Sequence, residues 1–218
     1  MSTRLAESNR VEAFSDGVFA IARTLLVLDL HAPEGESGHF ARALLDQWQS
    51  YAAFLAAFLN ISAIWLNHHD LFTRVRRVDT TLMCANLALL LITSLFPFPA
   101  AVISASMRDG DRSDQISAAL LYALVGFLLP LAWIWVYGYL ARSPQLLTNP
   151  DEAQYMRSGA RRSCVSLVVY PLAAALAFIE PVLALVAYVV LPFYFILSLV
   201  RLPAAQGEPA EPDEKPAD

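Results

Sequence analysis

The chain has 218 residues, of which 57% are hydrophobic and 16% are charged, and its formal net charge is −5. An ordinary soluble domain has about 45–50% apolar and about 25% charged residues. The composition therefore excludes a water-soluble protein with a single core and predicts a membrane protein. Because one spanning helix takes roughly 20 apolar residues, the chain has room for about six of them.

Six apolar segments follow one another along the chain, and we predict that each crosses the bilayer as a helix. They cover residues 11–30, 47–69, 80–104, 115–140, 162–179 and 182–201. The segment 202–218 is rich in Pro, Ala and Glu, which predicts a disordered cytoplasmic tail. The predicted fold class is thus an all-α membrane protein with six transmembrane helices in one domain over residues 1–201.

The basic residues predict the orientation of these helices, because Lys and Arg concentrate on the cytoplasmic side of a membrane protein. If the N-terminus is cytoplasmic, eleven of the 15 basic residues lie on that side: Arg4, Arg10, Arg74, Arg76, Arg77, Arg142, Arg157, Arg161, Arg162, Arg201 and Lys215. The opposite side carries only Arg42, Arg108 and Arg112. We therefore predict a multi-pass protein of the inner (plasma) membrane with both termini in the cytoplasm.

The first segment has two unlike faces when it is drawn as a helix with about 100° per residue. Its large apolar side chains form one stripe, made of Phe14, Val18, Ile21, Leu25 and Leu28. Asp16 and Arg23 fall on the opposite face. Such a stripe is typical of ordinary helix packing, but several copies around an axis would form an apolar pore constriction that gates by dewetting. The residues alone leave both interpretations open.

Arg23 is the one basic residue in the interior of a predicted span, since Arg162 and Arg201 lie at span ends. At mid-helix an arginine costs roughly 2.5–3.5 kcal/mol on insertion scales. Helical side chains lean toward the N-terminus. We therefore expect Arg23 to reach Asp16, two turns earlier, in a structural ion pair, or to extend to water. A direct role in gating or ion selection is the alternative.

The second and third segments carry polar side chains that need partners inside the protein. Trp65 and His68 are three residues apart and share a helix face, so we expect them to meet the Ser15 and Asp16 region. Asn86, in the middle of the third segment, requires a hydrogen bond to another helix. The adjacent His68 and His69 point about 100° apart and have no third ligand at a suitable spacing, so we predict no metal site.

Several motifs in the same order resemble the transmembrane protein 175 potassium channels in their bacterial six-helix form. The first segment carries Arg10-x-x-x-Phe14-Ser15-Asp16. The following segments carry Trp65-x-x-His68-His69-x-x-Phe72, Asp79, Asn86-Leu87 and Phe96-Pro97-Phe98-Pro99. The first three segments match well, whereas the last three match only in number and hydropathy.

The resemblance implies a homotetramer whose central pore is lined by the first helix of each subunit. By position after the Phe-Ser-Asp motif, the narrowest points fall on Ile21, Leu25 and Leu28, with Thr24 near the pathway. The resemblance further implies a polar network that holds the helices together on the cytoplasmic side, formed by Arg10, Phe14, Ser15, Asp16, Trp65 and His68. Arg23 departs from the family pattern, which usually has an apolar or small residue there.

The leading hypothesis is thus a potassium-permeable, weakly selective cation channel in the lipid bilayer, with no cofactor and no nucleic-acid partner. A secondary transporter or a proton-conducting protein is the alternative. A transporter would need a carboxylate at the midplane and two related halves, whereas the acidic residues here cluster at helix ends. An enzyme is not expected, because no nucleophile lies beside a base.

Overall fold

The computed structural model describes residues 6–33 and 39–200, so the predicted tail over 202–218 lies outside the described residues. Within these ranges the chain forms eight α-helices: α1 Ser8–Leu25, α2 Phe40–Asp46, α3 Trp48–Phe72, α4 Thr80–Ser94, α5 Pro97–Asp109, α6 Arg112–Arg142, α7 Glu152–Ala175 and α8 Pro181–Val200. Three short 3-10 turns cover Leu26–Asp29, Pro144–Leu146 and Leu176–Phe178. Two short strands, β1 Ala6–Glu7 and β2 Arg77–Val78, pair antiparallel.

The predicted helical membrane class is confirmed by four helical stretches that are long and apolar enough to cross a bilayer within the described ranges. They are Trp48–Phe72, Thr80–Asp109, Arg112–Arg142 and Glu152–Phe178. A fifth apolar stretch, Pro181–Phe193, is shorter. The first helix is absent from this set, and it carries four charged side chains within 18 residues: Arg10, Glu12, Asp16 and Arg23.

Two predicted segments differ from the observed helices in an informative way. The third segment is broken, because α4 ends at Ser94 and α5 begins at Pro97. Pro97 and Pro99 lack the N–H groups that would continue the helix. The fifth segment starts at Glu152 rather than at 162. Its first turns are helical although arginines lower their hydropathy, because Met156 there is fully buried against the rest of the bundle.

One end of the bundle, here called the basal end, gathers β1, the 73–79 loop and the 143–151 loop. β1 pairs with β2, and the backbone N–H of Arg76 donates to the carbonyl of Leu146 at 2.8 Å. Asp79 caps α4 by accepting from the N–H of Leu82 at 2.9 Å, and the Tyr139 hydroxyl donates to its second oxygen. These bonds fix where α1 and α4 begin.

Arg74 ties the loop after α3 to α7 at the same end. Its guanidinium donates to Asp70 at 3.0 Å and to Glu152 at 3.5 Å, and it lies over the ring of Tyr155. Burial alone disfavours the charged guanidinium, but Asp70 and Glu152 outweigh burial and raise the pKa of Arg74 above its ordinary value. Arg74 therefore stays charged and holds the two helices at a fixed distance.

A buried amide joins three helices in the middle of the bundle. The side chain of Asn60 on α3 donates to the Tyr122 hydroxyl on α6 at 3.0 Å and accepts from the Tyr170 hydroxyl on α7 at 2.6 Å. All three side chains are fully or almost fully buried. Because unpaired polar groups are costly in hydrocarbon, this group of three sets the relative height of α3, α6 and α7.

Helices α6 and α7 approach closely because each places a glycine under a tyrosine of the other. A Cβ atom at Gly126 on α6 would lie 2.3 Å from the Tyr170 ring, and one at Gly159 on α7 would lie 2.6 Å from the Tyr137 ring. Real Cβ atoms do not tolerate such distances, so both positions require glycine. Small residues at the contact allow this close packing of membrane helices.

We expect Gly126→Ala to destabilise the protein by about 1–3 kcal/mol, since the added methyl overpacks the contact with Tyr170. Gly138→Ala, on the same helix, is the matched control, because its Cβ would meet only the end of the Arg142 side chain at 3.5 Å. Thermal unfolding of both purified variants in one detergent measures the difference. Equal unfolding midpoints for the two variants would contradict the tight α6–α7 contact.

Candidate functional site: the first helix

The two faces of α1 have opposite environments. One face is buried against α3 and α4 and consists of Val11, Ser15, Phe19, Ala22 and Leu26. The other face bears four of the five residues of the predicted stripe, whereas Val18 is partly buried and packs against the core. Phe14, Ile21, Leu25 and Leu28 are 58%, 61%, 45% and 68% exposed. We call Ile21, Leu25 and Leu28 the apolar seam.

Asp16 is bound by the second predicted span. The indole N–H of Trp65 on α3 donates to a carboxylate oxygen of Asp16 at 2.9 Å. The structure thus confirms the expected contact of Trp65 with the Ser15 and Asp16 region of α1. A hydrogen bond to a charged group is about twice as strong as a neutral one, so this contact strongly restrains rotation of α1 about its own axis.

Ser15 is bound by the third predicted span. The Asn86 side chain on α4 donates to the Ser15 hydroxyl at 3.0 Å, and Nε2 of His68 lies 2.9 Å from the amide oxygen of Asn86. The predicted interhelical bond of Asn86 therefore exists. The predicted approach of His68 to Ser15 is indirect, because the Asn86 amide lies between the two side chains.

His68 is wholly enclosed by this arrangement. Its side chain is fully buried, stacks on the Phe72 ring with centroids 4.3 Å apart, and meets the edge of Phe19 at 5.1 Å. Nδ1 has no hydrogen-bond partner among the described residues. His68 therefore acts as a packing and hydrogen-bonding element between α1, α3 and α4.

Two further links attach the basal start of α1, and sequence reasoning missed both. Nδ1 of His69 lies 3.0 Å from the Glu12 carboxylate, and the His69 ring stacks on Trp65. The pairing of β1 with β2 holds the chain immediately before α1. The signal for the first link was available, since Glu12 and Asp16 are one helical turn apart, as are Trp65 and His69.

Arg23 does not form the predicted ion pair with Asp16. Its guanidinium carbon lies 5.3 Å from the centre of the Trp65 ring, and its Nε donates to the Phe19 carbonyl at 3.4 Å. The indole of Trp65 binds Asp16 and occupies the position between the two charges. Arg23 thus has a cation–π contact on the flank of α1, away from the apolar seam.

Three predicted site residues, Arg10, Phe14 and Thr24, make no polar contact with another helix among the described residues. Arg10 and Phe14 are exposed, and no side-chain hydrogen bond of Arg10 occurs among the described residues. The Thr24 hydroxyl donates to the carbonyl of Ile21 in its own helix at 2.9 Å.

The apolar seam extends beyond the end of α1. The α-helix ends at Leu25, so Leu28 lies on a 3-10 turn rather than on a continuous α-helix.

The arrangement is therefore suited to holding a helix in place rather than to bond-making chemistry. Hydrogen bonds join Asp16 and Ser15 of α1 to side chains of α3 and α4, and the exposed face of α1 is apolar along the seam. This face presents a row of bulky apolar side chains at helical spacing, which can pack against another helix or narrow a pore.

Comparison with known proteins gives a consistent result. The model of the family "Endosomal/lysosomal potassium channel TMEM175" matches residues 10–97, which include α1, α3 and α4. A potassium channel of Streptomyces collinus is 39% identical over 202 residues, covering 92% of this chain and 97% of that protein. The bovine endosomal/lysosomal proton channel TMEM175 is 28% identical over 215 residues, and the match spans 44% of that longer protein.

A solved structure shares the fold. The crystal structure of a lysosomal potassium-selective channel TMEM175 homolog from Chamaesiphon minutus superposes with a TM-score of 0.76 at 31% identity. The superposition covers 88% of this chain and 97% of that one. With a relative of 39% identity along nearly its whole length, the chain belongs to the TMEM175 family of membrane channels.

Proposed function

We propose that four copies of this chain form a potassium-permeable, weakly selective cation channel, with α1 of each copy around a central pore. In this arrangement α1 and α8 cross the bilayer together with the four long stretches, giving six spans and cytoplasmic termini. The basal end is then cytoplasmic. The observation that carries the proposal is the division of α1 into a polar, anchored face and an exposed apolar seam.

The charges of α1 favour an axial position over a lipid-facing one. Arg10, Glu12, Asp16 and Arg23 lie on this helix, and charged side chains facing lipid are expensive. In a symmetric assembly, α3 and α4 of the same subunit cover the polar face. The exposed seam then meets the three other copies of itself instead of hydrocarbon.

A ring of four seams would close the pathway by excluding water. Bulky apolar side chains around a narrow passage resist hydration, and a hydrophobic constriction gates by dewetting. Ile21, Leu25 and Leu28 would supply successive rings, with Thr24 between them. Potassium as the permeant ion rests on the relatives from Streptomyces and Chamaesiphon, which are named as potassium channels. Weak selectivity is part of the proposal because the sequence contains no Thr-Val-Gly-Tyr-Gly carbonyl filter, whereas the Chamaesiphon relative is titled potassium-selective.

The direct test is electrical recording from the purified protein in liposomes under a potassium/sodium gradient. We expect a cation current whose reversal potential is shifted from zero toward the equilibrium potential of potassium. Absence of current from correctly inserted protein would contradict the proposal.

Proton permeation is a second candidate, favoured by the vertebrate relatives that are named proton channels. The same liposomes, loaded with a pH-sensitive dye and placed in a proton gradient without potassium, distinguish the two. Proton flux without potassium current would replace the first proposal with the second.

We expect Ile21→Asn to raise the potassium current about tenfold, because the amide side chain allows water into the constriction. This change corresponds to a free-energy barrier to ion passage that is lower by about 1.4 kcal/mol. Val27→Asn is the matched control, since Val27 is 52% exposed but lies off the seam. Its current should equal that of the wild type. The seam assignment fails if both variants conduct alike.

We expect Asn86→Leu to weaken the attachment of α1, because it leaves Ser15 and the buried His68 without their shared partner. The loss is about 1–3 kcal/mol, as for a buried polar group that loses its hydrogen bond. Asn67→Leu on α3 is the control, since the side-chain bond of Asn67 among the described residues goes to the Ala63 carbonyl of its own helix. Thermal unfolding and the tetramer fraction on size exclusion report the effect, and equal losses for the two variants would remove the proposed anchor.

We expect Arg23→Gln to lower stability by about 0.5–2 kcal/mol through loss of the cation–π contact with Trp65, and to leave conductance nearly unchanged. The reason is that the guanidinium lies on the flank of α1 and not on the seam. Single-channel recording at symmetric potassium is the measurement. A several-fold rise in conductance would show instead that the Arg23 charge faces the cation pathway.

A further inference from the structure

A basic groove lies between α6 and α7 on the side of the bundle away from α1. Its volume is about 650 Å³, which is within the range of about 300–1,000 Å³ of small-ligand sites. Three arginines line it, Arg142 near the end of α6 and Arg157 and Arg161 on α7. All three side chains are exposed.

The charge of this groove is not neutralised within the chain. No described Asp or Glu oxygen lies within 4.0 Å of any of the three guanidinium groups. The nearby Glu152 carboxylate is bound by Arg74 on the α3 side of α7. Three positive charges therefore face one open space without a counter-ion from the described residues.

The shape of the groove admits a headgroup. Arg157 and Arg161 are four residues apart and share a face of α7. On α6, the Arg142 guanidinium turns back one helical turn and donates to the Gly138 carbonyl at 3.3 Å. The groove is otherwise lined by Gln154 and by the small residues Gly138, Ala141 and Ala160, here called its floor. The small side chains thus leave space for an oxyanion between the three arginines.

The position of the groove decides the source of the oxyanion. In the proposed channel α1 lies at the axis and packs on α3 and α4, whereas α7 packs on α6 and α8, so the α6–α7 pair is peripheral and faces lipid. Arg142 directly precedes the 143–151 loop of the basal end, and Arg157 and Arg161 lie in the first turns of α7 after this loop. In the proposed channel these residues are therefore near the cytoplasmic surface of the bilayer. Basic pockets between membrane helices at this depth bind anionic lipid headgroups.

We propose that this groove binds the phosphodiester headgroup of an anionic phospholipid from the cytoplasmic leaflet. Arg142, Arg157 and Arg161 bind its phosphate oxygens, and the acyl chains extend along the outer surface of α6 and α7. The location rests on the proposed channel arrangement, but binding itself needs no ion current.

The test measures binding of fluorescent phosphatidylglycerol to the full-length protein in a neutral detergent. We expect the affinity to fall on the order of fivefold for each arginine removed, and on the order of 100-fold in the triple variant Arg142→Gln/Arg157→Gln/Arg161→Gln. The control triple variant Arg76→Gln/Arg77→Gln/Arg108→Gln removes the same charge from exposed positions elsewhere and should bind as the wild type does. Equal losses in the two triple variants would overturn the site in favour of a general charge effect.

Three further measurements identify the ligand and control for misfolding of the charge variants. Unlabelled phosphatidylcholine should compete poorly, and equal competition would overturn the requirement for an anionic headgroup. Inorganic phosphate should not displace the lipid at millimolar concentration; displacement would make free phosphate the ligand. Ala160→Leu fills the floor without changing charge and should weaken binding about tenfold, on the order of 1.4 kcal/mol, whereas unchanged binding would place the lipid elsewhere. A protein that binds lipid but carries no current would contradict the channel proposal and leave this site intact.

Discussion

The rotation of α1 about its own axis depends on one requirement, that polar side chains packed between the helices of a membrane protein must find hydrogen-bond partners inside the protein. Asp16 meets it with the Trp65 indole at 2.9 Å, and the adjacent Ser15 is bound by Asn86 at 3.0 Å. Since the helix turns by about 100° per residue, directing these two residues inward turns Ile21 and Leu25 outward. The polar contacts thus determine which side chains are presented at the face where a pore would form.

The remaining helices form the support on which this orientation depends. α3 and α4 supply the partners of α1, and the basal loops fix the ends of these helices through β1–β2 pairing and the Asp79 cap. Behind them, glycines under tyrosine rings bring α6 and α7 together. Arg23 fits the same scheme, because stacking on Trp65 holds its charge on the flank of α1.

Sequence reasoning identified the features that arise from one helix at a time. The seam and the opposed position of Asp16 follow from helical periodicity, and the need of Asn86 for a partner follows from its depth in an apolar segment. The pairings themselves depend on how helices rotate and slide against one another. This is why the Asn86 bridge between His68 and Ser15, and the bonds of Asn60 to partners 62 and 110 residues away, were not predicted. The expected Arg23–Asp16 pair was wrong for the same reason, since spacing on α1 alone could not place the Trp65 indole between them.

If the seam of α1 faces the ion pathway, as proposed, a thiol placed on the seam must be accessible to a reagent in that pathway. The native Cys84 and Cys164 are both exposed, so the measurement uses a background in which both are replaced by serine. Leu25→Cys and Val27→Cys are then recorded before and after a positively charged methanethiosulfonate reagent is applied. We expect the reagent to abolish most of the current through the Leu25→Cys channel and to leave the current through the Val27→Cys channel unchanged. An unaffected Leu25→Cys current, or equal inhibition of both channels, would contradict the proposed position of the seam.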